Sequence, residues 1–442
     1  MTEAKLVCSP YVNIIEHKKK KIAFHALKGN PIEIDDNVEQ LLLELRNSIS
    51  LKQLLCKSED YLSALKELSD IGFILTFGDQ KKEYYQWREQ LFSKSAADQV
   101  FSGGIIFLLT THCNLNCSYC ICSESLKKKQ NMTSKTAHAI LEWYLPYLSK
   151  LENAINPLFI FTGGEPVIQI SLLQEIIEFI ESRISYLRPH YRVISNGTLF
   201  TRQIVDYFEH HNVDLIVSID GDQETHNFQR PFADGKPTWT KIWDGISLFS
   251  RKYRNNNLSI STVYKEEIPY EDEGVLLKKM MECGIYFWTL NINNLVVLKN
   301  PEVTARRIIA LRQIAQEKYG ILVSGRWATP AANMRAGNRF NAICSASVRN
   351  RIFFQPDGSI TFCDYDPRII GNINEIGTYI DKVNREKERY FFGNWKGCEN
   401  CMLSGFCSPC VLEEEVLHSE NPDFQKQKCL FLKECAKLLL FE

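Results

Sequence analysis

The 442-residue chain lacks the features that mark membrane proteins and nucleic-acid-binding proteins. It has no apolar run long enough to span a bilayer, and its first ten residues lack the hydrophobic stretch of a secretory signal. The formal net charge is -1, so no excess of one sign attracts nucleic acid or an acidic membrane surface. These absences predict a cytoplasmic protein of two or three domains, with no membrane and no nucleic-acid partner.

Cysteine, by contrast, is abundant, with fifteen residues. Cytosolic thiols stay reduced, so clustered cysteines in such a chain are more often metal ligands than disulfides. Two groups are tightly spaced, and four further cysteines surround the second group in the sequence. The first group is Cys113, Cys117 and Cys120, the second is Cys398, Cys401, Cys407 and Cys410, and the surrounding residues are Cys344, Cys363, Cys429 and Cys435.

Three zones separate along the chain, at residues 1–97, 98–324 and 325–442. Short strands, two helical patterns and a returning strand in the first zone predict a small winged-helix-like module. Alternating strands and helices in the second zone predict an α/β fold with parallel strands, as in a full or partial β/α barrel. The third zone is dense in cysteine, and its fold is expected to depend on its metal. The strands predicted in the second zone are 104–110, 157–162, 191–195, 213–219 and 258–263, and its helices include 134–148 and 171–187.

The first cysteine group has the spacing Cys113-x3-Cys117-x2-Cys120 and follows the strand at 105–110 directly. Three thiolates can hold three irons of a [4Fe–4S] cube, which leaves the fourth iron open to a cofactor or substrate. A structural zinc site is the alternative, because Cys122 and His112 are near enough in sequence to supply a fourth ligand.

This spacing resembles that of the radical S-adenosylmethionine (SAM) superfamily, in which it follows the first barrel strand. Tyr119 matches the aromatic residue usually found before the third cysteine. The resemblance implies a partial (β/α)6 barrel whose open iron chelates SAM. In that family, SAM is cleaved to a 5′-deoxyadenosyl radical, which abstracts a hydrogen atom from the substrate.

Three further segments fall where the superfamily places cofactor contacts. Gly163-Gly164-Glu165-Pro166 resembles the segment that contacts the SAM amino group, and Ser218 and Arg230 match the residues that hold the SAM carboxylate. His226 is expected to be an orienting or core residue rather than a base. The cofactor-binding residues that the resemblance implies are therefore Tyr119, Gly163, Gly164, Glu165, Ser195, Asn196, Ser218 and Arg230.

The C-terminal cysteines resemble the SPASM domain of peptide-modifying radical SAM enzymes, which carries two auxiliary [4Fe–4S] clusters and so brings the total to three. The resemblance assigns Cys398, Cys401, Cys407 and Cys429 to a distal cluster, and Cys344, Cys363 and Cys410 to a nearer one. Residues 332–343 contain no further cysteine, so the nearer cluster has an open iron or a non-cysteine ligand. A pair of zinc sites is the alternative.

Asp364 directly follows Cys363, at a place where some sulfatase-maturing relatives have a proposed base. A carboxylate there can accept a proton as a substrate radical is oxidised, and it is our candidate catalytic residue. The alternative is a carboxylate that only accepts hydrogen bonds from backbone amides around the cluster.

The first zone resembles, over residues 25–75, the PqqD-like peptide-recognition domain of enzymes that mature ribosomally made peptides. Such domains bind a leader peptide as an added strand at a sheet edge. Acidic helices around Asp35 and Glu59 argue against nucleic acid, and a purely structural role is the remaining alternative.

Together these patterns predict a radical SAM maturase that cross-links a precursor peptide through a thioether or carbon–carbon bond. The enzyme would need an electron donor such as flavodoxin or ferredoxin. Two alternatives remain: a sulfatase-maturing enzyme that makes formylglycine, and a zinc-binding scaffold without catalysis.

Overall fold

The computed structural model describes residues 5–58, 61–87, 89, 103–120, 129–149, 156–184, 188–266, 273–292, 298–337, 351–361, 363, 368–375, 398–407 and 423–442. Three of the predicted site residues, Cys344, Asp364 and Cys410, lie outside these ranges. Cys122, the alternative zinc ligand, also lies outside them. No helix within the described ranges is long and apolar enough to cross a membrane.

The N-terminal zone contains two small antiparallel sheets. Strands β2, β3 and β4 pair in sequence order as a meander, and the other sheet has the order β5-β1-β6. Lys18 and Lys19 form the two-residue turn of the meander's first hairpin, with φ of 46° and 66°. The strands are β1 (Lys5–Cys8), β2 (Val12–His17), β3 (Lys20–His25), β4 (Gly29–Ile34), β5 (Ile49–Ser50) and β6 (Ile74–Thr76).

Three helices share one core with both of these sheets. Asp35 accepts a hydrogen bond from the Val38 N–H at 2.8 Å and so caps the first helix. Gly72 terminates the third helix, because its φ of 78° lets the Phe73 N–H reach the Leu68 carbonyl at 2.8 Å. The helices are α1 (Asp36–Glu44), α2 (Leu51–Leu55) and α3 (Tyr61–Asp70).

Seven parallel strands of the middle zone lie side by side in sequence order, which confirms the predicted α/β class. All seven residues of the first are buried, which explains its unbroken apolar sequence. The five predicted strands agree with β7–β11 to within one residue at each end. The strands are β7 (Gly104–Thr110), β8 (Leu158–Gly163), β9 (His190–Ser195), β10 (Asp214–Ser218), β11 (Leu258–Tyr264), β12 (Phe287–Ile292) and β13 (Leu322–Ser324).

Helices connect these strands and cover one face of the sheet, where the main core lies. The opposite, inner face carries a smaller apolar cluster of Ile106, Ile160 and Phe353. The helices are α4 (Ser134–Leu148), α5 (Ile170–Arg183), α6 (Arg202–His210), α7 (Gln223–Gln229), α8 (Trp239–Ser247), α9 (Arg251–Asn257), α10 (Glu273–Cys283) and α11 (Pro301–Tyr319).

The third zone extends the same sheet. Strand β14 (Arg351–Phe354) pairs in parallel with β7, and β15 (Ser359–Thr361) and β16 (Gly371–Asn372) follow antiparallel, so the sheet has ten strands. Two helices complete the described part of this zone, α12 (Thr329–Arg335) and α13 (Asp423–Leu440).

The N-terminal meander docks on the C-terminal cysteine segment. The Gly405 N–H donates to the Ala26 carbonyl at 2.7 Å. A Cβ on Gly405 would lie 2.8 Å from that oxygen, so only glycine allows this approach. Phe24 of β3 shares the main core with Leu403 and Phe406, which joins the first and last zones.

Candidate active site

The first cysteine group lies in a loop directly after β7, at the carboxyl edge of the parallel strands, where ligand sites of α/β folds lie. All three thiols are half-buried. The pKa of Cys117 is raised to about 11, mainly by burial, with Cys113 and Cys120 acting in the same direction and Arg230 opposing them. The Cys117 thiol therefore stays protonated until a metal centre displaces its proton.

A short backbone ladder holds this loop against residues 229–233. The Asn116 N–H donates to the Pro231 carbonyl at 2.9 Å, and the Ser118 N–H donates to the Gln229 carbonyl at 3.0 Å. The ladder brings Arg230 beside the cysteines, with its Nη1 at 3.9 Å from the Cys117 Sγ.

Gly163 and Gly164 fit the end of β8 against the start of the cysteine loop. A Cβ on Gly163 would lie 2.3 Å from the Thr110 carbonyl oxygen, and one on Gly164 would lie 2.2 Å from the His112 carbonyl oxygen. Gly163 also has a φ of 144°. Both positions thus require glycine because two backbone segments meet there, and the turn delivers the next residue, Glu165, into the interior.

Glu165 is a fully buried carboxylate, and the groups that donate hydrogen bonds to it are all neutral. Oε1 accepts from the Ser195 hydroxyl at 2.8 Å and the Val167 N–H at 3.1 Å, and Oε2 accepts from the Asn196 N–H at 2.7 Å. Burial raises the pKa of this carboxyl to about 7, although the hydrogen bonds favour its charged form. A bound cation would balance the negative charge of this carboxylate, and the ammonium group of a ligand is a cation of suitable size.

Asn196 links the end of β9 to the cysteine loop. Its Nδ2 donates to the Asn114 Oδ1 at 2.8 Å and lies 3.9 Å from the Cys113 Sγ. Its Oδ1 accepts from the Thr198 hydroxyl at 2.7 Å, and that hydroxyl in turn accepts from Asn114 at 2.8 Å. This closed polar network fixes the side chain beside the first cysteine.

Asp220, two residues beyond β10, is the second fully buried carboxylate. Its Oδ2 accepts from the Arg230 Nε at 2.7 Å and from the Tyr119 hydroxyl, and its Oδ1 accepts from the Val263 N–H at 3.0 Å. The backbone N–H of Asp220 donates to the His226 Nδ1 at 3.1 Å. His226 is fully buried, and burial lowers its pKa to about 4.

Two cationic side chains lie over the Tyr119 ring. The Arg230 guanidinium lies 5.2 Å from the ring centroid, and the Lys265 Nζ lies 4.7 Å from it. The Lys265 Nζ also donates to the Ser118 hydroxyl at 3.1 Å. Ser218, at the end of β10, lies on the inner face, because its neighbours Leu215 and Val217 occupy the main core.

The described cysteines of the C-terminal zone form a separate group. Burial raises the pKa of Cys407 far above its usual range, and the neighbouring thiols of Cys401, Cys429 and Cys398 act in the same direction. Cys363 packs against the main core and also against the inner-face cluster that contains Ile106. The structure thus places together four thiols, three from residues 398–407 and one from α13.

Within the described ranges, no three His, Cys, Asp or Glu side chains converge tightly enough to hold a single metal ion. An iron–sulfur cube takes one thiolate at each iron, so its ligands are spread over several corners. The two separate groups of cysteine thiols are therefore compatible with iron–sulfur clusters.

Five of the predicted cofactor-binding side chains surround the cysteine loop: Tyr119, Glu165, Ser195, Asn196 and Arg230. Sequence reasoning missed three residues that complete the networks there, Asp220, Asn114 and Thr198. Asp220 had a signal, because it lies in the strand-end segment from Ser218 to Gly221. Asn114 stands between two of the cysteines, where it reads as an ordinary loop residue.

Residues 107–276 match the family model of the radical SAM superfamily. The radical SAM cyclopropyl synthase TigE of Paramaledivibacter caminithermalis is 23% identical over 93% of this chain and 90% of its own length. A cysteine-type anaerobic sulfatase-maturating enzyme of Clostridium novyi is 28% identical over 74% of this chain and 94% of its own length.

Two solved structures are similar in fold. Native anSMEcpe with bound AdoMet has a TM-score of 0.62 at 20% identity and covers 77% of this chain and 98% of its own. Streptococcus suis SuiB bound to precursor peptide SuiA has a TM-score of 0.53 at 14% identity and covers 91% of this chain and 94% of its own. The large, mostly parallel sheet of this chain therefore matches a radical SAM partial barrel.

Proposed function

The chain is an enzyme built on a radical SAM domain at residues 107–276, and we propose that it modifies a ribosomally made precursor peptide. One observation carries the proposal: the ends of four adjacent parallel strands deliver thiols, a buried carboxylate, an amide and a buried arginine to one edge of the sheet. Such an edge suits a cofactor that has thiol-bound iron, an ammonium group and a carboxylate.

In this proposal, Cys113, Cys117 and Cys120 hold the catalytic [4Fe–4S] cluster. Glu165 receives the SAM ammonium, since it is buried with neutral donors only, and Arg230 and Ser218 receive the SAM carboxylate. Bound together, SAM and the cluster supply a radical that takes a hydrogen atom from the substrate. The protein's own part is to exclude water from Glu165 and to hold Arg230 beside the loop.

The C-terminal cysteines would hold two auxiliary clusters. The pKa of Cys407 is raised by three neighbouring thiols, those of Cys398, Cys401 and Cys429. This proximity supports one cluster shared by the four cysteines. Cys363, which packs against the inner-face cluster as well as the main core, would hold a nearer cluster together with Cys344 and Cys410. Each bond formed after hydrogen abstraction releases one electron and one proton. The nearer cluster would supply an acceptor for the electron, and Asp364 would accept the proton.

The winged-helix-like N-terminal zone would recognise the leader of the precursor. Its small sheet has short edge strands, β5 and β6, and α3 lies beside β6. An extended peptide can add to such an edge and gain main-chain hydrogen bonds. The SuiB structure contains a bound precursor peptide. Its similarity in fold covers 91% of the present chain, which includes most of the N-terminal zone.

For the bond formed, a carbon–carbon link has the stronger support. TigE is named as a cyclopropyl synthase, and closing a three-carbon ring forms a carbon–carbon bond. A thioether from a substrate cysteine is the second product, because the nearer cluster lacks a fourth cysteine at residues 332–343.

Formylglycine formation is the second candidate function. It is favoured by the similarity to the Clostridium novyi enzyme, 94% of whose length is matched by this chain. That match leaves about a quarter of this chain without a counterpart, whereas TigE covers 93% of it. We prefer a precursor peptide as the substrate because TigE also matches most of the part of this chain that has no counterpart in the Clostridium novyi enzyme.

The test is reconstitution without oxygen, in the reducing conditions expected of cytoplasm. Iron, sulfide and zinc are measured per chain, and SAM cleavage is followed with flavodoxin or ferredoxin as electron donor. Candidate peptides are then examined by mass spectrometry. Serine-derived formylglycine and a cross-link both lose two hydrogen atoms, so a hydroxylamine reagent separates them. A product with this mass loss that does not react with the reagent supports a cross-link, whereas a product that it captures is the formylglycine aldehyde. A colourless, zinc-loaded protein without SAM cleavage would leave only the scaffold alternative.

A further inference from the structure

Asp220 connects more parts of the site than any other side chain described above. It receives hydrogen bonds from Arg230 beyond α7, from Tyr119 in the cysteine loop and from the backbone of Val263 in β11. Its own N–H is held by His226, whose Nε2 lies 3.1 Å from the Thr238 hydroxyl. A fully buried carboxylate with this many partners fixes the side chains that it binds.

We infer that Asp220 is a positioning residue for SAM binding: it holds Arg230 and Tyr119 in the orientation that meets the cofactor's carboxylate. This inference rests on the proposed function, because it takes SAM to be the ligand at this edge. Asp220 binds Arg230 and Tyr119 through one oxygen, so its effect on the cofactor would pass through these side chains.

The position of Arg230 separates this role from simple scaffolding. Its Nε is engaged by Asp220, while its Nη1 reaches to 3.9 Å from the Cys117 Sγ and faces the cysteine loop. A guanidinium tied at Nε keeps its two terminal nitrogens for a ligand, and a bidentate carboxylate suits them.

The cysteine loop has supports other than its hydrogen bond from Tyr119 to Asp220. Backbone hydrogen bonds from Asn116 and Ser118 fix it to residues 229–233 independently of any carboxylate. Removing the charge of Asp220 should therefore leave the cluster thiols in place and free mainly the Arg230 side chain. The expected defect is weaker SAM binding with an intact catalytic cluster.

The experiment compares Asp220→Asn with the wild-type enzyme after reconstitution. An amide offers one acceptor oxygen, so in either orientation its NH2 faces the Val263 N–H or the donors from Arg230 and Tyr119. We expect KM for SAM to rise about tenfold or more, kcat to change less, and iron content to stay unchanged. When SAM is titrated into the reduced enzyme and followed by the EPR spectrum of the cluster, the SAM concentration at the midpoint should rise by the same factor.

Asp222→Asn is the matched control. Asp222 caps α7 by accepting from the Thr225 N–H at 2.8 Å, and asparagine caps a helix equally well. Its SAM titration should match the wild type. Tyr119→Phe keeps the ring but removes one donor to Asp220, and it should shift the midpoint in the same direction by a smaller factor.

An unchanged SAM midpoint in Asp220→Asn would overturn the inference, and so would loss of the catalytic iron, because that result would make Asp220 a scaffold of the loop. If circular dichroism shows that Asp220→Asn does not fold, Tyr119→Phe decides, and a wild-type midpoint there overturns the inference. A wild-type enzyme with full iron content that fails to cleave SAM refutes the proposed function instead.

Discussion

The two cysteine groups within the described residues differ in what surrounds their thiols. Around Cys113 and Cys117, polar groups approach the sulfurs, with the Asn196 Nδ2 and the Arg230 Nη1 each at 3.9 Å. Cys401 and Cys407 instead pack against the main core, in a segment whose other members include Leu403. One group thus lies beside a buried arginine and an amide, whereas two members of the other group pack against apolar side chains.

This difference indicates a division of labour. A metal centre that does chemistry keeps an open position and orients its ligand with nearby polar groups, whereas a closed centre is coordinated fully by the protein. Three cysteines beside Glu165 and Arg230 fit the first type, and four neighbouring cysteines, two of which pack against the main core, fit the second. The variants below test that division, beginning with the largest expected effect.

Replacing Cys113, Cys117 and Cys120 together with alanine should abolish SAM cleavage and leave the C-terminal clusters in place. Iron should fall from about twelve to about eight per chain, the contribution of one cube. Liquid chromatography of 5′-deoxyadenosine and iron analysis measure both. Cys283→Ala, at a half-buried cysteine outside both groups, is the control. Retained cleavage in the triple variant would contradict our placement of the catalytic cluster.

The double variant Cys401→Ala, Cys407→Ala should show the opposite pattern. It should lose about four irons and the modified peptide, yet continue to cleave SAM. Its melting temperature should drop, because Cys407 and its cluster stabilise a segment that packs into the main core. Cleavage that disappears as fully as in the triple variant would show that the two groups do not divide the work.

A smaller effect is expected at Glu165. Its carboxyl has a pKa of about 7 without ligand, because burial disfavours the charge. A cationic ammonium binds the charged form, so the affinity for SAM should rise as the pH increases toward about 7 and level off above it. Binding titrations from pH 6 to pH 8, values chosen on the order of one unit on either side of that pKa, measure the slope.

Glu165→Gln is the control for this slope, because an amide does not titrate. Its SAM binding should be weaker than that of the wild type and independent of pH over the same range. A wild-type affinity that is flat across this range would contradict the assignment of the ammonium to Glu165.

The smallest effect concerns the support of the C-terminal group. Gly405→Ala places a Cβ 2.8 Å from the Ala26 oxygen and 2.9 Å from the Leu27 Cα, and backbone atoms cannot move aside cheaply. We expect a loss of about 1–3 kcal/mol in the free energy of unfolding, measured by denaturant titration. Gly274→Ala, which has only the Tyr319 hydroxyl at 3.6 Å, should cause no loss. Equal stability of the two variants would show that the close approach at Gly405 is not required.

The middle zone was predictable because its signals are local. Each strand is a short apolar run followed by a helical pattern, and the cysteine spacing and the glycine pair sit at strand ends. Thus β7–β11 fell within one residue of their predicted positions, and the position of Glu165 beside the cysteine loop followed from adjacent parallel strands.

The remaining features depend on contacts between residues far apart in sequence, which no local pattern encodes. The pairing of β14 with β7 joins residues 351–354 to residues 104–107, so part of the third zone extends the sheet of the middle zone, which the sequence did not predict. The role of Asp220 became visible only when Tyr119 and Arg230 were found on the same oxygen.

The hydrogen bond between Ala26 and Gly405 also has a consequence for how the chain reaches its native state. The two residues are separated by about 380 positions, and contacts of such long range form late because loop closure costs entropy before they stabilise anything. During synthesis, the apolar surface around Phe24 lacks Leu403 and Phe406 until the C-terminal segment emerges from the ribosome. Newly made chains should therefore pass through a stage with this surface exposed, at which a chaperone has something to bind.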